Sequence, residues 1–253
     1  MGRLGVTPEK RLVNVKSGGG RGYRSRVIDI GADAGGRGPG VGFDGTLSGF
    51  PLPLRLDDRC GAAPQEGGGP HRRRLQAAAC IVGEIGLDHS VPAKEWKKQE
   101  QTLKELLPHV PAGRPVVIHI RGPNGDEEAM ATYARMMELL LTYLPSEQPL
   151  FLHCFSGGEE TVLEWLRTFP NIYFGYAGQV WGFNSDQVAG LRVVPLDRLL
   201  AETDSPYMPP EGHRRNSPAL LCLVGDLVAE ARGMTTKDFL RAATENATRL
   251  FWW

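Results

Sequence analysis

From about residue 80 to its end, the chain alternates short apolar runs with helix-period segments, and this alternation constrains the fold most. The apolar runs predict strands over 79–85, 115–120, 150–155, 172–176 and 199–202. Segments 95–110, 127–144, 160–169, 218–231 and 236–251 predict helices, because their apolar residues recur at three- and four-residue spacing. In the first of these, Trp96, Leu103, Leu106, Leu107 and Val110 share one face. Buried strands separated by helices build βαβ units around a parallel sheet. The chain's 253 residues match a barrel of eight such units, typically about 250 residues. The expected fold class is therefore α/β, a TIM-type (β/α)8 barrel. Closure needs eight strands, and the segment after residue 80 offers five clear ones, so the barrel is expected to be incomplete or irregular at its N-terminal strands.

Residues 1–80 have a different texture. They hold 18 of the 32 glycines and carry 13 basic against 7 acidic residues. Such a segment buries little apolar surface and loses much backbone entropy on ordering. A division follows: 1–78 as a Gly/Arg-rich segment, largely loop or disorder, contributing one strand near 26–30, and 79–253 as the hydrolase-like barrel domain. Over the whole chain, 29 basic residues balance 29 acidic ones, which excludes a strongly basic nucleic-acid protein. No apolar run reaches the roughly 18 residues of a membrane helix, and no hydrophobic leader opens the chain. Cys60, Cys80, Cys154 and Cys222 are too scattered for a disulfide framework. The expectation is an intracellular protein of the cytoplasm or nucleus, monomeric and without membrane contact.

In parallel α/β folds, chemistry gathers at the C-terminal ends of the strands. Here four apolar runs deliver Glu84, His119, His153 and Asp204 to that rim. Burying a carboxylate or imidazole is costly unless it is paired or coordinated. Taken singly, each residue has an ordinary explanation: a hydrogen-bonded core histidine, a Glu84–Arg121 ion pair, or Asp204 opening a turn. Together they form an N/O ligand set suited to Zn²⁺, Mn²⁺ or Mg²⁺. A divalent cation there lowers the pKa of its water, and a carboxylate can deprotonate that water. Cys154 follows His153, and strand alternation predicts that it points away from the rim as a small hydrophobe. His89 and His109 are expected at the surface. Arg214, Arg215 and Asn216 lie in a polar loop that either grips a phosphate or is merely solvated.

The ordered segments VGEIGLD (82–88), PVVIHIR (115–121), LHCFSG (152–157) and LLAETDSPY (199–207) resemble the TatD family of metal-dependent deoxyribonucleases. GHRRNSP (212–218) and TTKDFLRAATENATRLF (235–251) resemble its closing segments. The resemblance implies an amidohydrolase-type barrel and a metal-dependent nuclease that hydrolyses DNA, or RNA, through a metal-activated water. It implies Glu84, His119, His153 and Asp204 as metal ligands, with Glu84 and Asp204 also catalytic. Arg121, Arg215 and Ser156 are the substrate-binding candidates. The cofactor is a divalent metal, Mg, Mn or Zn, in two positions.

One departure stands out. The family opens with an Asp-x-His-x-His strand whose histidines bind metal, and this chain has no His-x-His. Its nearest analogue is Asp29 to Asp33, where Gly31 and Asp33 replace the histidines. That leaves one metal position in question and opens an alternative: a catalytically impaired relative that binds nucleic acid or protein. A third reading is an amidohydrolase for small amides or esters, since the fold hosts many chemistries.

Overall fold

A computed structural model describes residues 81–123 and 129–251. The expected strand at 26–30, the Asp33 candidate and the division at residue 78 lie outside the described residues.

The described residues form one parallel sheet of five strands. These are β1 (Val82–Asp88), β2 (Val116–Arg121), β3 (Leu150–His153), β4 (Ile172–Tyr176) and β5 (Leu199–Ala201). They lie side by side in chain order. Six helices accompany them: α1 (Ala93–Leu106), α2 (Met130–Tyr143), α3 (Glu159–Thr168), α4 (Ser185–Val193), α5 (Leu221–Arg232) and α6 (Thr236–Phe251). The sequence placed α6 correctly and joined α1 to the short 3-10 turn at 107–109 that contains Pro108. It missed α4, whose start is a capping box: Asn184 accepts from the Gln187 N–H and the Gln187 side chain returns to the Asn184 N–H.

Side chains alternate across the sheet. Val116, Ile118, Leu150, Leu152, Ile172, Phe174 and Leu199 face the helices and form the main core with residues such as Leu103, Met136, Leu140, Trp165 and Phe239. Their neighbours Val117, Phe151, Tyr173 and Leu200 face the opposite way and meet Ala247, Leu250 and Phe251 at the end of α6. The Phe151 and Phe251 rings pack edge to face at 6.0 Å. This inner face is the one that continues into His119, His153 and Glu202, each two residues further along its strand or just past its end.

One side chain ties two of the helices together. Arg232, at the end of α5, donates to the carbonyls of Leu191 and Val194, which satisfies the C-terminus of α4. α5 itself stops at Gly233, whose φ of +64° is left-handed and suits glycine. Among the described residues, no helix is long and apolar enough to cross a membrane.

Candidate metal centre

Parallel pairing aligns the strand ends, so residues far apart in sequence become neighbours. Gly86 pairs with His119, and His119 pairs with His153. Glu84 reaches the same space from β1. Gly83, at φ +149°, packs so tightly that an added Cβ would stand 2.6 Å from the Val117 Cβ. That close approach seats Glu84 over β2.

Four of the residues singled out from the sequence converge. His119 Nδ1 lies 2.9 Å from Glu84 Oε1, and His153 Nε2 lies 3.8 Å from the same oxygen. His153 Nε2 is also 3.8 Å from Asp204 Oδ1. On its other side, His119 Nε2 lies 3.5 Å from Asp88 Oδ2. The histidine rings are 6.3 Å apart. His153 and Asp204 are buried, whereas His119 keeps 28% of its side chain exposed and forms the open side of the group.

Glu202 is the residue that sequence reasoning missed. The apolar pattern predicts it as the last residue of a strand. In the structure it is fully buried, and its Oε2 lies 2.5 Å from His153 Nδ1. Its Oε1 accepts the Cys154 N–H at 2.6 Å. The signal available was spacing alone: Glu202 and Asp204 lie two residues apart just past the end of a strand. The cavity for Glu202 is made by Gly175 on β4, because a Cβ there would collide with Glu202 Oε1 and with the Phe151 ring.

The electrostatics follow from this crowding of carboxylates. Burial alone would lower the pKa of His119, but Asp88 and Glu84 outweigh it and raise the pKa to about 9. Burial would likewise lower that of His153, and Glu202, Glu84 and Asp204 raise it to about 10. A cluster of acids that draws protons onto two imidazoles is one that favours a cation.

The donor set fits a divalent ion. One ligand atom each from Glu84, His119 and His153 lies within 4.8 Å of the others. Two ligands about 2.1 Å from a common ion at the tetrahedral angle stand about 3.4 Å apart. The two contacts of His153 Nε2, at 3.8 Å, are too long for hydrogen bonds and close to that spacing. Its Nδ1, bonded to Glu202, leaves Nε2 as the ligating nitrogen.

Other expectations fare differently. Arg121 ends β2 on the His119 side and is exposed, opposite Asp88 in the register. Among the described contacts, Glu84 meets histidines rather than Arg121. Arg214 and Arg215 are exposed on the loop after β5. Asn216 is buried, and its amide donates to the carbonyls of Thr203, Tyr207 and Met208, so it supports the loop rather than offering itself to a phosphate. Ser156 is buried, with its N–H donating to the Tyr133 hydroxyl and its carbonyl accepting from Gln187.

Cys154 does not point away from the rim. β3 ends at His153, and Cys154 adopts φ +47°, so strand alternation no longer applies. Its thiol lies within 4.8 Å of ligand atoms of His153 and Glu202. His89 is half-buried rather than at the surface, stacked on Trp96 at 4.0 Å with Nδ1 3.0 Å from the Thr132 hydroxyl.

Known proteins share both the sequence and the fold. The family model described as "TatD related DNase" matches residues 73–252. The uncharacterised metal-dependent hydrolase YcfH of Escherichia coli is 33% identical over 205 residues, covering 76% of this chain and 72% of that protein. The 3'-5' ssDNA/RNA exonuclease TatD of Dickeya dadantii is 30% identical over 192 residues, 72% of this chain and 68% of its own. The crystal structure of the Escherichia coli TatD homologue YjjV superimposes with a TM-score of 0.59 at 25% identity, over 72% of this chain and 68% of that one. Its TIM-barrel type matches the parallel sheet described above. The chain belongs to the TatD family of metal-dependent hydrolases.

Proposed function

We propose that this chain is a metal-dependent phosphodiesterase acting on single-stranded DNA or RNA. The observation that carries the reading is that Glu84, His119 and His153 each bring a ligand atom within 4.8 Å of the others, with Asp204 3.8 Å from His153 Nε2. Relatives named as 3'-5' single-stranded DNA and RNA nucleases support the substrate class.

Glu84, His119, His153 and Asp204 would hold the divalent metal. A cation there would lower the pKa of water and offset the charge of a phosphodiester. Asp204, at the inner end of the group, accepts the proton of the attacking water. Glu202 keeps His153 oriented through its Nδ1–H and leaves Nε2 turned toward Glu84 and Asp204. Glu202 is thus a positioning residue, because it acts through His153. Arg121, exposed at the end of β2, and Arg215, exposed on the loop after β5, would meet phosphates of the substrate.

The test combines metal content with turnover. The full chain, stripped by chelation and reloaded with Mn²⁺, Zn²⁺ or Mg²⁺, is assayed by elemental analysis and on end-labelled single-stranded DNA and RNA. Bound metal with stepwise loss of nucleotides supports the reading. Folded, metal-loaded protein without cleavage overturns it. The missing His-x-His favours a second reading, an impaired relative that retains one metal position and binds without turnover. One ion per chain with no cleavage would support that reading.

A further inference from the structure

The loops that follow β4 and β5, on the side of the sheet where those strands end, each carry one exposed large aromatic side chain. Trp181 lies in the 3-10 turn Gly178–Gly182 and is 56% exposed. Tyr207 lies in the turn after Asp204 and is 41% exposed. One exposed hydrophobe on a protein surface is ordinary. Here, however, the two loops are joined. At Gly178 an added Cβ would clash with the Met208 carbonyl and stand 3.3 Å from the Pro210 nitrogen. The Asn216 amide then binds the Tyr207 and Met208 carbonyls and fastens the 211–216 loop to the same turn. That third loop bears Arg214 and Arg215, both exposed, with Glu211 as its one acid.

Aromatic faces beside paired cations suit a single strand. Every base offers a π-face for stacking, and its backbone offers phosphates for guanidinium groups. A duplex keeps its bases stacked inside, and a small ester has no second base to place. We propose that Trp181 and Tyr207 form the stacking platform for a single-stranded nucleic acid, with Arg214 and Arg215 on its phosphates. The proposal rests on the phosphodiesterase reading for its substrate and adds the residues that select an unpaired strand.

Binding of a fluorescein-labelled oligothymidylate to the full chain is measured by anisotropy in chelator, so that no cleavage intervenes. Trp181→Ala weakens binding by about fivefold or more, and Trp181→Phe restores most of it. The aromatic variants leave the slope of log affinity against log salt unchanged. Arg214→Ala and Arg215→Ala each lower that slope by about 0.7. Unchanged affinity in Trp181→Ala, or no binding by the parent chain, overturns the platform. Hydrolysis of bis(p-nitrophenyl) phosphate, too small to span the platform, tests the catalytic reading separately. Loss of the platform effect with that hydrolysis intact sinks this proposal alone. Trp181-dependent binding without any hydrolysis leaves the platform standing and sinks the catalytic reading.

Discussion

The inner face of the sheet has two halves that differ in everything but their backbone. At its base stand Val117, Phe151, Tyr173 and Leu200, closed over by Leu250 and Phe251. Two residues further along the strand direction stand His119, His153, Gly175 and Glu202. A shift of about 6.6 Å along a strand thus passes from dry packing to a charged cluster. The lower half has a function in stability, and the upper half concentrates like charges that only a cation or protons can relieve. The sheet holds both because hydrogen bonding between strands is indifferent to the side chains above it.

This contrast can be broken from either side. Asp204→Asn is expected to lower phosphodiesterase turnover by about 10²- to 10⁴-fold while leaving thermal unfolding nearly unchanged. Turnover that stays within a few-fold of the parent would remove Asp204 from the chemistry. Phe151→Ala attacks the base. It should lower unfolding free energy by about 3–5 kcal/mol, measured by urea titration, through the cavity left beside Phe251. Glu202→Gln should weaken metal binding by about 10- to 100-fold, read by competition with a metal indicator. Glutamine preserves the volume, so stability should change much less than affinity.

Gly175→Ala tests the boundary between the halves. Its Cβ meets both Phe151 below and Glu202 above, so it should reduce stability by about 1–3 kcal/mol and metal affinity together. A change in one without the other would show that the halves are independent. The smallest effect lies outside the sheet. Burial lowers the pKa of His89 from 6.5, against the pull of Glu100 and Asp88. The unfolded chain then binds more protons than the folded one as pH falls through 6.5, so stability is lost in that direction. His89→Phe should flatten that part of the pH–stability curve.

The sequence made the lower half and part of the upper half legible. Apolar runs revealed the strands, and the polar residue closing each run revealed Glu84, His119, His153 and Asp204. Glu202 escaped because its strand is only three residues long, Leu199–Ala201, and a carboxylate just beyond it looked like a strand terminus. Its partner, His153, is 49 residues away, and only the parallel register brings them together. Alternation predicts the wrong side for Cys154 because β3 ends one residue before it and its backbone is left-handed. The sequence pattern offers Asn216 only a phosphate or solvent, because its actual role depends on three carbonyls of a turn that no local pattern announces.

The order of the strands has a consequence for how the molecule is made. β1 to β5 lie in the sheet as they occur in the chain, so each can join the edge left by its predecessor without being inserted between strands already paired. A chain leaving the ribosome can therefore extend this sheet in one direction, as domains form from the N-terminal side during synthesis. When β4 has docked, Glu84, His119 and His153 are already neighbours, but Glu202 and Asp204 have yet to emerge. The final strand thus brings the carboxylate that steadies His153 and the one that faces its Nε2. A nascent chain halted before Leu199 would display the histidines without either, and metal capture would follow the arrival of the last strand.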